Sequence, residues 1–183
     1  MEKTDDLDRG NILVHTGEGK GKTTSAIGQI VRAVGHGLNA KLITFFKGNE
    51  GRFERGTFNV LRELDVPITN FAVEHPDFGR SSAGETTREC DEALEYIGEF
   101  FDSEGREYDL LVLDEVNVAL ETGYLDVDQF LDLLDDKPHR LEVVCTGRGA
   151  PEGLVEKADL VSRIENVKHF YDRGVVTRAG YEY

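Results

Sequence analysis

Residues 12–34, ILVHTGEGKGKTTSAIGQIVRAV, constrain the fold more than any other stretch of the chain. An apolar run leads into a glycine-rich turn, then Lys22-Thr23-Thr24, then a run in which Ala26, Ile27, Ile30, Val31 and Val34 recur at helical spacing. A strand that passes through glycines into a helix start builds an anion nest. The glycines let successive backbone N–H groups turn inward, and the helix dipole adds positive potential. Lys22 is placed to reach phosphate oxygens, and the Thr23 hydroxyl to ligate magnesium. The spacing departs from GxxxxGK[ST], because the first glycine position holds Thr16. Lys20 adds a second positive charge, and its position suits solvent and phosphate equally. His15 ends the strand and reads as a packed residue with no chemical role.

The rest of the chain repeats the same alternation. Short apolar runs at Ile12–His15, Lys41–Phe46, Ile68–Val73, Leu110–Asp114, Glu142–Thr146 and Leu160–Ile164 predict strands. They are mostly apolar rather than strictly alternating, which suits strands covered on both faces. Helical spacing predicts helices over Lys22–Val34, Arg52–Leu64, Thr86–Phe101, Val127–Leu134 (after Asp126 as N-cap) and Pro151–Lys157. Strand and helix in alternation specify an α/β fold with a parallel sheet of roughly six strands flanked by helices. A length of 183 residues without repeat or low-complexity linker predicts one P-loop domain over residues 11–183, preceded by a flexible polar segment at residues 1–10. The ligand of such a sheet belongs at the carboxyl ends of the strands.

Three further segments reach that edge. DLLVLDEVNVAL, residues 109–120, ends an apolar strand in Asp114-Glu115, delivering carboxylates beside the phosphate loop as a Walker B strand does. Magnesium takes hard oxygen ligands and borrows only one or two carboxylates, so this pair suffices. FFKGNEGR sets Lys47 after the second strand, and VVCTGRGAPEG sets Arg148 between Gly147 and Gly149 after the fifth. Both cations are positioned to meet phosphate charge.

The net charge of −15 excludes a nucleic-acid partner, because phosphate-backbone binding needs a basic face. The same acidity fits either an ordinary acidic protein or one adapted to a salty cytoplasm. No apolar run approaches the roughly 20 residues of a membrane helix, and MEKTDDLDRG is no signal peptide, so the expected location is cytoplasmic without membrane contact. Cys90 and Cys145 lie far apart in apolar surroundings and read as core residues rather than a disulfide or zinc site.

TGEGKGKTT, FFKG, VLDEVNVAL with GYLDVDQFLDLL, TGRG and VKHFYDRGVVTRAGYEY, taken in order, resemble the ATP:corrinoid adenosyltransferases of cobalamin biosynthesis from about residue 11 onward. The resemblance implies a homodimer with a RecA-like P-loop sheet, ATP and magnesium, a corrinoid substrate, and an electron donor of the reductase or flavodoxin-like kind. It implies that Gly17, Glu18, Gly19, Lys20, Gly21, Lys22, Thr23 and Thr24 cradle the triphosphate. Glu115 and Thr23 would hold magnesium with Asp114 in support, and Lys22 and Glu115 would act directly on the reaction. The chain departs from the family in one place. Where relatives carry a Phe-Thr-Trp segment that displaces cobalt's lower ligand, HPDFGRSSAGETTRE, residues 75–89, has Phe78 as its single aromatic residue, and the chain has no tryptophan. Phe78 is the candidate for that role, with Phe71 and Phe53 as alternatives.

The implied reaction, attack of Co(I) on C5′ of ATP, needs orientation and stabilisation of the departing triphosphate rather than a general base. The sequence offers no Ser-His-Asp or Cys-His set, in keeping with that chemistry. Two other classes fit a phosphate loop: an ATPase or kinase cleaving at the γ-phosphate, and a non-catalytic nucleotide-binding module.

Overall fold

The structure, a computed structural model, describes residues 9–47, 55–72, 81–170, 174, 178 and 180. Residues 1–8, Phe53 and Phe78 lie outside that set. Six strands run β1 Ile12–Thr16, β2 Ala40–Phe45, β3 Ile68–Phe71, β4 Leu110–Asp114, β5 Glu142–Thr146 and β6 Leu160–Arg163. The helices are α1 Lys22–Gly35, α2 Arg55–Glu63, α3 Ala83–Asp102, α4 Val116–Glu121, α5 Val127–Asp135 and α6 Glu152–Lys157, with a 3-10 turn at Glu104–Glu107. The sheet order is β3-β2-β4-β5-β1-β6, and every pairing is parallel. The α/β expectation and its six strands are borne out.

Parallel strands need crossovers, so helices cover both faces and the strands become apolar on both sides. Successive residues therefore feed two cores. Ile12, Val14, Ile43, Phe45, Leu111, Leu113, Val143 and Cys145 join Ile97, Phe101, Phe130 and Leu154 in one cluster, against α3, α5 and α6. Leu13, Leu42, Val112 and Val144 join Ala26, Ile30, Phe58 and Leu61 in the other, against α1 and α2. Both cysteines are buried and unpaired, as expected. Only β3 and β6, at the edges, lack fully buried residues along their length.

The element ends show where local chemistry prevailed. β2 stops at Phe45 because Phe46 adopts φ 60°, a left-handed conformation that ends the strand. α3 begins three residues earlier than its apolar spacing indicates, because Ser82 and Glu85 form a reciprocal capping box. α4 was not anticipated: six residues are too few to display a period, and the helix starts directly after Glu115.

Candidate active site at the carboxyl edge

The parallel arrangement brings the loops after β1, β2, β4 and β5 to one edge of the sheet. β5 lies between the phosphate-loop strand β1 and the acidic strand β4. The off-pattern Thr16 is the last residue of β1, buried, with its hydroxyl accepting from the Ala150 amide at 3.3 Å. The turn begins one residue later, at Gly17, where φ is +95°. A Cβ on Gly17 would stand 2.5 Å from the Ile164 carbonyl oxygen, so no larger residue fits. The loop is tied down on that side: the Gly19 amide donates to the same Ile164 oxygen at 2.7 Å.

Lys22, first residue of α1, folds its side chain back under the loop. Its Nζ donates to the carbonyls of Gly17 at 2.6 Å and Gly19 at 2.8 Å, and the residue is buried. Burial lowers its pKa, with Glu115 and Glu18 pulling upward and Arg148 and Lys47 downward. Those four groups are therefore all within electrostatic reach of one ammonium.

The acidic pair sits across β5. Asp114 is 1% exposed and uses both oxygens: Oδ1 accepts from the Thr146 hydroxyl at 2.5 Å and Oδ2 from Lys47 Nζ at 2.6 Å. The Thr146 hydroxyl also accepts from the Glu115 amide at 3.1 Å, locking the end of β4 to β5. Glu115 follows with φ 65°, a strained conformation for a non-glycine residue that turns the chain into α4. Its carboxylate is raised above the usual range by burial and by Asp114, against the pull of Lys47, Lys22 and Arg148.

Lys47 occupies the centre. Its Nζ lies 2.9 Å from the Thr23 hydroxyl, 2.6 Å from Asp114 Oδ2 and 3.8 Å from Glu115 Oε1. One cation thus already meets the hydroxyl and two carboxylates that the sequence assigned to magnesium. These hard oxygen donors fit that ion, which would complete its shell from water and substrate phosphates. Among the described residues no group of three or more His, Cys, Asp or Glu would hold a metal unaided.

The remaining expected residues lie at the rim. Arg148 pairs with Glu18 at 3.4 Å, both largely exposed, and so links the β5 loop to the phosphate loop. Lys20 and Thr24 face outward, and Gly21, with φ 124°, precedes α1. Three neighbours were not singled out from the sequence. Thr146 orients the acidic pair. Asn117, fully buried on α4, donates to His15 O at 3.3 Å and Gly147 O at 3.2 Å, joining the ends of β1 and β5. Tyr124 packs edge-on against Phe46, the residue before Lys47, with ring centroids 6.2 Å apart. Single polar or aromatic residues carry no spacing signal, so only the fold reveals them. A cavity of about 580 Å³ at the opposite edge, lined by Arg9, Arg32, His36 and Arg140 among others, touches none of the expected site residues.

The model of the family described as ATP:corrinoid adenosyltransferase BtuR/CobO/CobP matches residues 8–183. The chain belongs to that family. As a member it is an adenosyltransferase enzyme, and the ATPase, kinase and regulatory readings are not favoured. Curated relatives agree. A corrinoid adenosyltransferase of Pseudomonas aeruginosa is 35% identical over 96% of this chain and 85% of its own length. The corrinoid adenosyltransferase of Escherichia coli and the corrinoid adenosyltransferase CobA of Salmonella typhimurium are each 34% identical, over 96% of this chain and 87% of theirs. No described helix is long and apolar enough to cross a membrane.

Proposed function

We propose that this adenosyltransferase moves the 5′-deoxyadenosyl group of ATP onto Co(I) of a corrinoid and releases triphosphate. The observation that carries this reading is the convergence of Lys22, Thr23, Asp114 and Glu115 at one sheet edge, with no cysteine or histidine beside them among the described residues. Both cysteines are sealed in the core and His15 is buried beneath the phosphate loop. Such a site serves a substrate that brings its own nucleophile.

The electron pair of Co(I) forms the bond to C5′ while the C5′–O5′ bond breaks, and the C5′–O5′ bonding pair leaves on the triphosphate. The cobalt ends as Co(III), and no proton moves, so no general base is required. The protein's work is to hold C5′ in line and to counter charge on the leaving group. The backbone of Gly17 to Thr24 would cradle the phosphates, with Lys22, Lys20 and Arg148 supplying positive charge. Thr23 and Glu115, supported by Asp114, would hold magnesium, which when bound stabilises the phosphate negative charge. Phe78 is assigned to cobalt's lower face, where an apolar wall that removes the axial ligand eases reduction to Co(I). A one-electron donor protein and a second copy of the chain complete the reading as partners.

The test is which bond of ATP breaks. With ATP, magnesium and chemically reduced cobalamin, the protein should yield triphosphate and a light-sensitive alkylcobalamin in equal amounts. Phosphorus NMR that shows ADP and orthophosphate instead would overturn it.

A further inference from the structure

The geometry points to Lys47 as a resident cation of the metal position: it holds the Thr23, Asp114 and Glu115 oxygens together and gives them up when a divalent ion arrives with nucleotide. This rests on the metal assignment above. Asp114 is 1% exposed and Glu115 a quarter exposed, and two carboxylates converging at that depth are costly without a counter-charge. Lys47 supplies it, at 2.6 Å from one and 3.8 Å from the other, while bonding the Thr23 hydroxyl at 2.9 Å. Those are the oxygens a magnesium ion would use, so ammonium and metal compete for one place.

The backbone is built to put the lysine there. Phe46 takes φ 60°, ending β2, and its amide donates to Ala72 O at 2.8 Å and Phe71 O at 3.2 Å. That turn sets Lys47 across the carboxyl ends of the strands instead of along β2. The lysine stem is flexible, and its head is a point charge that accepts any cluster of oxygens. From its present place the ammonium is already within electrostatic reach of Lys22, the residue expected at the phosphates, so an incoming triphosphate can take it over as the metal arrives. Metal alone should therefore bind weakly, because it must displace an ammonium that already balances the two carboxylates. Metal with a triphosphate should bind well, because the triphosphate takes the lysine.

The test measures Mn²⁺ binding by electron paramagnetic resonance, with no corrinoid and no turnover. Without nucleotide, Lys47→Met should bind Mn²⁺ at least tenfold more tightly than the parent protein. With ATP present the advantage should vanish or reverse. Should the methionine variant not fold, Lys47→Gln keeps N–H donors toward Thr23 and Asp114 without the charge, and carries the same expectation. Mn²⁺ affinity that is unchanged or weaker in the nucleotide-free variant would overturn the inference. Failure to form alkylcobalamin would instead count against the reaction, leaving this measurement standing.

Discussion

Lys22 holds two loop carbonyls, and in the proposed role it would exchange them for phosphate oxygens, so these bonds preorganise the loop more than they stabilise the fold. Replacing it with alanine loses those bonds but also removes a desolvated ammonium, so the terms largely offset. Lys22→Ala should shift unfolding free energy by less than about 1 kcal/mol, while kcat/KM for adenosyl transfer falls by roughly a hundredfold or more. Urea denaturation beside steady-state kinetics separates the two. His15 offers a pH test. It is 4% exposed, its Nδ1 has no hydrogen-bond partner among the described residues, and burial lowers its pKa below 6.5. As pH falls through 6.5 the unfolded chain takes up a proton that the native state resists, so stability present at neutral pH is progressively lost. His15→Gln should flatten the fall in melting temperature between about pH 7 and pH 5.

At the scale of elements, the phosphate loop depends on a second strand end. Ile164 receives the Gly19 amide at 2.7 Å and donates to Thr16 O at 2.8 Å, so the chain leaving β6 backs the loop. Gly17 is pressed against that backing with φ +95°. Gly17→Ala should cost about 1–3 kcal/mol through the left-handed conformation alone, and more through the clash, with ATP affinity lost in parallel. Calorimetric titration with ATP would detect this. The capping box at the start of α3 makes a smaller demand: Ser82→Ala should destabilise by about 1 kcal/mol in chemical denaturation. Near-identical unfolding curves would show that the helix start is held from elsewhere.

Across the whole molecule, 36 acidic groups against 21 basic ones give a self-repelling surface around a site where Lys22, Lys47 and Arg148 stand among Glu18, Asp114 and Glu115. Potassium chloride should raise the melting temperature by screening that repulsion. Repulsion between distant charges is mostly screened by about 0.15 M, where the Debye length is about 8 Å. A gain that continues to molar salt identifies a surface adapted to brine. A curve that is flat throughout would show the acidic groups already neutralised by local pairing, of which Lys157–Asp135 and Arg88–Glu92 are examples.

The sequence by itself determined the fold class and located the glycine-rich loop and the acidic strand end. Each is a local pattern: apolar runs of strand length, glycines before a lysine and a helix, carboxylates after an apolar strand. It also identified the family, through motifs that keep their order along the chain. Only the tertiary structure decided which of these groups meet. Lys47 is 24 residues from Thr23 and 67 from Asp114, and periodicity has no term for the strand order that closes those gaps. Thr146 and Asn117 were invisible for the same reason, since each acts by spanning neighbouring strands. The left-handed turns at Phe46 and Glu115 lay equally out of reach, because neither residue favours positive φ and only packing around them holds it.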